Sequence, residues 1–308
     1  MQMPDAPLPP LLIAGATATG KSAVAQWLAE RTGAAIVSTD SMLVYRGMDV
    51  GTAKPSAEER GRVRYIGLDC VEPGERFSAG DWLQRVREGV AALPAGTPLI
   101  AAGGTGLYFR ALQQGLDAPP CDLAVRQKFR ALYDEGGIDA LQAEMARLGV
   151  AVPPGDGQNP RRLMRALEKA TSGTPAPAPA AAAGGFAPFA NAAAFLLTMD
   201  RDALAARIER RARKMFDEGI VEEAVRIFGD GAPSETAAGA IGYAEALSFA
   251  RGELTLEEAI ERVSARTRQL AKRQRTWFRH QFEAVEVAVS PDDTPEAVAT
   301  RIVALLRK

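Results

Sequence analysis

A short apolar run, Leu11–Ala14, passes directly into Gly15-Ala16-Thr17-Ala18-Thr19-Gly20-Lys21-Ser22 and then into the helical pattern Ser22–Arg31, and this junction leaves few folds open. A buried strand, a glycine turn of the form G-x-x-x-x-G-K-[ST] and a helix, in that order, make a grip for phosphate. The glycines let backbone N–H groups curl around an anion, Lys21 supplies a point charge, and the Ser22 hydroxyl can hold Mg²⁺. A second apolar run, Ala35–Ser38, follows the helix; a third, Leu99–Ala102, leads into Gly103-Gly104 and a helix-like stretch, Leu107–Leu112. Strands alternating with helices predict a parallel sheet. The expected class is therefore α/β, with a P-loop NTPase-like parallel sheet core.

From Asp122 to Ser172 the pattern turns wholly helical, with candidate helices at Asp122–Asp134, Gly137–Leu148 and Pro160–Thr171. This predicts a helical insertion domain over 116–194, with core segments 1–115 and 195–308 on either side. Residues 171–194 are dominated by Ala, Pro and Gly, which offer little apolar surface to bury, and are expected to form a disordered loop. A returning strand is expected at Ala194–Met199, then helices at Asp202–Asp217, Val221–Phe228, Tyr243–Arg251 and about Thr255 to Phe282.

With 308 residues, 47% of them hydrophobic, the chain can bury a substantial core, yet no apolar run approaches the roughly 20 residues that span a bilayer. Met1–Pro10 has neither a basic region nor an apolar signal core, so a cytoplasmic address is expected. Cys70 and Cys121 lie far apart without metal-ligand spacing, and His280 is the sole histidine, which argues against zinc or Cys–His chemistry. The formal net charge is only −1, but Arg262, Arg266, Arg268, Lys272, Arg273, Arg275 and Arg279 crowd one segment and can form a basic face. In the same segment Leu270 and Trp277 read as core positions.

A phosphate loop of the nucleotide-binding, ATP-binding type ordinarily works with an acid at the end of a neighbouring strand. Leu99–Ala102 ends instead in Gly103-Gly104-Thr105, with no carboxylate. The carboxylate best placed for chemistry is Asp40, just beyond the strand Ala35–Ser38 and so at the carboxyl edge of the sheet, where open α/β folds bind ligands. Asp40 can act as a turn or cap residue, or it can orient or deprotonate a nucleophile beside the gripped phosphate.

The stretch Asp40-Ser41-Met42-Leu43-Val44-Tyr45-Arg46-Gly47-Met48-Asp49-Val50-Gly51-Thr52-Ala53-Lys54-Pro55 resembles the signature of the bacterial tRNA dimethylallyltransferase family. The resemblance extends to the phosphate loop, Gly103–Tyr108, Asn159–Glu168, Ile241-Gly242-Tyr243 and Thr267–Gln274 with Trp277-Phe278-Arg279, in the family's order. It implies transfer of a dimethylallyl group from dimethylallyl diphosphate to the N6 amine of the adenosine 3′ of the anticodon, with Mg²⁺ assistance and release of diphosphate. The partner implied is the anticodon stem-loop of tRNA, and a monomer is expected.

Carried over by position, Asp40 is the implied base, and Lys21, Arg211 and Thr105 complete the catalytic set. Gly15, Ala16, Thr17, Ala18, Thr19, Gly20, Lys21 and Ser22 are the implied diphosphate site, Ser22 also serving the metal. Asp40, Ser41, Met42, Leu43, Thr105, Arg126, Arg161, Arg162, Leu163, Met164, Arg165 and Tyr243 are the implied tRNA contacts. Arg64–Asp69 stands where the family carries a His-rich segment, and no role is assigned to it. Two other classes compete: a small-molecule kinase, which predicts nucleotide turnover without RNA, and an RNA-binding or switch protein, which leaves Asp40 beside the loop without purpose.

Overall fold

The computed structural model describes residues 8–116, 123–152, 157–171, 186–229 and 233–307. They divide into two compact units, one formed by 1–114 and 185–308, the other by 115–184.

The larger unit opens with β1 (Leu11–Gly15), α1 (Lys21–Thr32) and β2 (Ala35–Thr39), followed by α2 (Ala57–Arg62), β3 (Tyr65–Ile66), α3 (Ala79–Ala91), β4 (Leu99–Gly103) and α4 (Gly106–Gln114). The smaller unit contains α5 (Leu123–Arg147) and α6 (Pro160–Thr171). The chain then returns through β5 (Ala193–Thr198), α7 (Arg201–Asp217), α8 (Ile220–Phe228), α9 (Glu235–Ala238), α10 (Tyr243–Ala250), α11 (Leu256–Gln281), β6 (Val285–Ala288) and α12 (Pro295–Leu305).

The six strands form one sheet in the order β3-β2-β4-β1-β5-β6, every neighbouring pair parallel. All five residues of β1, of β2 and of β4 are buried, as expected of strands covered on both faces. Leu11, Leu12 and Ile13 are wholly enclosed, each stabilising the fold by about 1.5–3 kcal/mol relative to exposure. On one face α1 and α12 bring Val24, Leu28, Val298 and Ile302 against Leu11, Ile13 and Ile36. The sheet therefore has the expected P-loop-like parallel architecture. β6 and the short β3 come as additions to the strands expected from sequence.

In the smaller unit, α5 breaks at Gly137, which has φ 65 and ψ −150, close to the expected boundary between two helices. Phe129, Leu141, Met145, Leu163 and Leu167 make its core. Of the stretch expected as a disordered loop, 172–185 lies outside the described residues. Residues 186–194 are ordered: the Phe186 N–H donates to the Leu112 carbonyl at 2.8 Å, Phe189 is buried, and β5 begins at Ala193. Two aromatic side chains supply the apolar surface that the alanines and prolines before them lack.

Candidate active site

The phosphate loop closes on itself. Gly20 stands at the N-cap of α1 with φ 93, a left-handed conformation that glycine adopts without strain. No side chain caps the helix, so its first N–H groups face outward as an anion site reinforced by the helix dipole. The Thr19 hydroxyl and the Lys21 ammonium both donate to the Ala16 carbonyl, at 2.8 and 2.6 Å. Lys21 is buried, and its pKa is brought down to about 8, chiefly by desolvation; the Asp40 charge opposes this shift and the Arg211 charge adds to it.

At the ends of β2 and β4 the acceptor side is assembled. The Thr105 N–H donates to the Thr39 carbonyl at 3.0 Å, while the Thr105 hydroxyl accepts from the Ser41 N–H at 3.1 Å and lies 3.3 Å from the Ser41 hydroxyl. Asp40 Oδ1 accepts from the Met42 N–H at 2.9 Å, the turn expected of an aspartate there, and Oδ2 has no hydrogen-bond partner among the described residues. The glycines on either side of Thr105 are needed for close approach. A Cβ at Gly104 would lie 2.3 Å from the Gln274 amide nitrogen, and one at Gly106 would lie 2.3 Å from the Trp277 ring.

Arg211 joins the two sides. Its guanidinium donates to the Thr17 hydroxyl at 3.1 Å and to the Thr52 carbonyl at 3.2 Å, and burial holds its pKa below the ordinary value while Asp40 pulls it upward. The loop that carries Thr52 is pinned twice. Glu223 on α8 accepts from the Asp49, Val50 and Gly51 N–H groups at 3.0, 2.9 and 3.0 Å, and from the Tyr243 hydroxyl at 2.7 Å. Buried Lys54 donates to the Tyr45 carbonyl at 2.6 Å and pairs with Asp69 at 2.6 Å and Asp49 at 2.8 Å. Asp69 also holds Arg60 at 2.6 Å, so the Arg64–Asp69 segment, unassigned from sequence, anchors the signature loop.

These elements enclose a cleft of about 440 Å³ lined by Thr17, Asp40, Ser41, Met42, Thr52, Thr105, Arg211 and Gln274, with Leu270 on its wall. Asp40, Thr105 and Arg211, expected from sequence for catalysis, meet there with Thr17 of the expected diphosphate site; Lys21, the fourth expected catalytic residue, is buried behind the loop and is not among the lining residues. Leu270, expected in the core, is only half-buried because its position on α11 turns toward the cleft; Trp277 is half-buried against Gly106.

Other expected RNA contacts have different surroundings. The Tyr243 ring is buried against Gly51 and Phe228, so its hydroxyl serves Glu223 and no aromatic face is presented to a base. Leu43 is buried in the larger unit. In the helical unit, Leu163 is fully buried in the core and Met164 packs against it, because they occupy the inward face of α6. Arg161 and Arg162 are exposed on the same helix, while Arg126 and Arg165 pair with buried Glu168 at 3.0 and 2.8 Å.

Among the described residues no group of three or more His, Cys, Asp or Glu side chains is arranged to hold a metal ion. Mg²⁺ commonly keeps several waters and binds through substrate phosphates with few protein oxygens. The exposed Ser22 hydroxyl in the first turn of α1 fits that donor set. Sequence reasoning missed Glu223, Lys54 and Gln274, whose partners are 174, 15 and 257 residues away in the chain.

The pattern of the IPP transferase family matches residues 43–281. The tRNA dimethylallyltransferase of Anaeromyxobacter dehalogenans strain 2CP-C is 43% identical, covering 95% of this chain and 98% of the relative. That of Thermus thermophilus is 40% identical, covering 88% and 89%. Among solved structures, the full-length tRNA isopentenylpyrophosphate transferase of Bacillus halodurans is 32% identical with a TM-score of 0.66, over 97% of this chain and 95% of that one. A eukaryotic dimethylallyltransferase acting on tRNA, at 19% identity and a TM-score of 0.75, covering 97% of this chain and 79% of that one, shares the fold. With that extent of likeness added to a phosphate loop and a carboxylate meeting at one cleft, this chain belongs to the IPP transferase family.

Proposed function

We propose that this enzyme transfers a dimethylallyl group from dimethylallyl diphosphate to the N6 amine of the adenosine 3′ of the anticodon in tRNA, releasing diphosphate. One observation carries the reading: Asp40 lines the same cleft as Thr17 and Arg211, so a proton acceptor and a diphosphate grip face one enclosed space.

The chemistry follows from that pairing. As the allylic carbon–oxygen bond breaks, negative charge grows on the leaving diphosphate, and Lys21, Arg211 and the open N–H groups of α1 are preset to stabilise it. The carbon–nitrogen bond forms from the N6 lone pair, and Asp40 takes the proton that nitrogen sheds. Thr105 fixes Ser41 and thereby the turn that aims Asp40. An allylic electrophile accepts a weak amine, so alignment contributes more than basicity. Ser22 would hold Mg²⁺, which would supply further neutralisation of the leaving group.

The exposed Arg161 and Arg162, with Arg126 and Arg165 held by Glu168, suit phosphate and base-stacking contacts to an RNA stem-loop. The catalytic groups in this scheme all lie on this chain, so a monomer would suffice for the reaction. Incubation with labelled dimethylallyl diphosphate, Mg²⁺ and unmodified tRNA should place label at a single adenosine 3′ of the anticodon. Label that stays in the donor, or nucleotide turnover without RNA, would refute the assignment.

A further inference from the structure

We propose that Gln274 is a positioning residue for the transfer, the strut that keeps the phosphate loop and the acceptor turn in register; this rests on the reading above. Its carboxamide oxygen accepts from the Thr17 N–H at 2.8 Å, and its carboxamide nitrogen donates to the Gly104 carbonyl at 3.0 Å. One end therefore lies on the loop that grips the diphosphate. The other lies beside Thr105, which ties down Ser41 next to Asp40.

The chemistry of the two partners dictates the residue. A backbone N–H demands an acceptor and a carbonyl demands a donor, and the terminal amide of glutamine supplies both from one planar group. Glutamate could not donate to Gly104, and methionine, of nearly the same length, could serve neither partner. The surroundings are shaped for this contact: the three nearest atoms to a Cβ built on Gly104, at 2.3, 3.2 and 3.6 Å, all belong to Gln274. Gly104 is buried and its backbone is not in the left-handed region, so the glycine is required there by the approach of Gln274. Trp277, one turn further along α11, docks on Gly106 in the same way.

A displacement of about 1 Å between reacting groups can slow a reaction by roughly 10²-fold. Gln274→Met should therefore lower the single-turnover rate by about 10- to 100-fold at saturating dimethylallyl diphosphate and tRNA, with both affinities within a few-fold of the parent. A group acting only in folding or donor binding would not give that split. Gly104→Ala should reproduce the loss in the parent, where the new methyl group displaces Gln274. In a Gln274→Ala background the same methyl group should add less than about a two-fold further loss, because its clash has gone.

Parental rates in Gln274→Met, a defect cured by excess donor, or independent effects at positions 104 and 274 would overturn the proposal. The unaltered chain is the control: failure to label tRNA would sink the transferase reading alone. The 104–274 coupling is then read from melting temperatures, where additive shifts would reject the strut and strongly sub-additive shifts would support it.

Discussion

Asp40 Oδ1 is engaged by the Met42 N–H, which fixes the plane of the carboxylate and leaves Oδ2 for an incoming proton donor. Asp40→Asn keeps the turn but removes the base. Single-turnover transfer should fall by about 10²- to 10⁴-fold, with donor and tRNA affinities within a few-fold; restoration of the rate by added Mg²⁺ would instead make Asp40 a metal group. At Lys21 the expected signal is in pH. Its folded pKa of about 8 lies below 10.5, so between those values the unfolded chain binds more protons and stability of the unliganded protein rises with pH. Donor binding works in the opposite direction, since the diphosphate needs the ammonium form. Affinity for dimethylallyl diphosphate should decline as pH climbs through about 8, and the decline should be lost in Lys21→Met, which binds weakly throughout; titration calorimetry across that pH range measures both.

The element that decides the shape of the acceptor side is α8, through Glu223 and the three N–H groups it holds. Tyr243→Phe removes one hydrogen bond to a charged group while leaving the ring packed on Gly51, and should cost about 1.5–3 kcal/mol in denaturant unfolding with tRNA affinity nearly unchanged. A selective loss of tRNA binding would return Tyr243 to the RNA surface. The contrast between Tyr243 and Asp40 marks what is legible in the sequence. The phosphate loop and strand β2 are local patterns, so the order of residues alone puts Lys21, Thr17 and Asp40 on one sheet edge. α6 and α11 also follow from periodicity to within a residue or two. Glu223 and Gln274 act through backbone groups far along the chain, and Lys54 through the Tyr45 carbonyl and the Asp69 and Asp49 carboxylates; no local pattern announces such partners. Tyr243 misleads for the same reason: the glycine that receives its ring lies in another part of the sequence. α2 and α3 are absent from the expected helices although Ser56 with Glu59 and Ser78 with Asp81 form capping boxes, a signal readable from sequence.

At the scale of the molecule, the segment 115–184 leaves and rejoins the larger unit at neighbouring points, because the Leu112 carbonyl accepts from the Phe186 N–H. Replacing 115–184 by a short Gly/Ser linker should leave the parallel sheet folded and able to bind diphosphate while abolishing transfer to tRNA. Thermal melting and the labelling assay check the two halves of that statement; an unfolded product would show that the helical unit supports the sheet. The strand order has a further consequence, for the making of the protein. β1 is paired with β4 on one side and β5 on the other, so the first strand synthesised waits for partners drawn from later parts of the chain. At ~5–20 residues per second, Ala193 emerges tens of seconds after Leu11. Until then one edge of the most apolar strand has no neighbour, a state that favours capture by chaperones and slow, non-local closure of the sheet. In pulse-labelled refolding, the amides of Leu12–Ala14 should gain full protection together with those of Phe195–Leu197, and not before them.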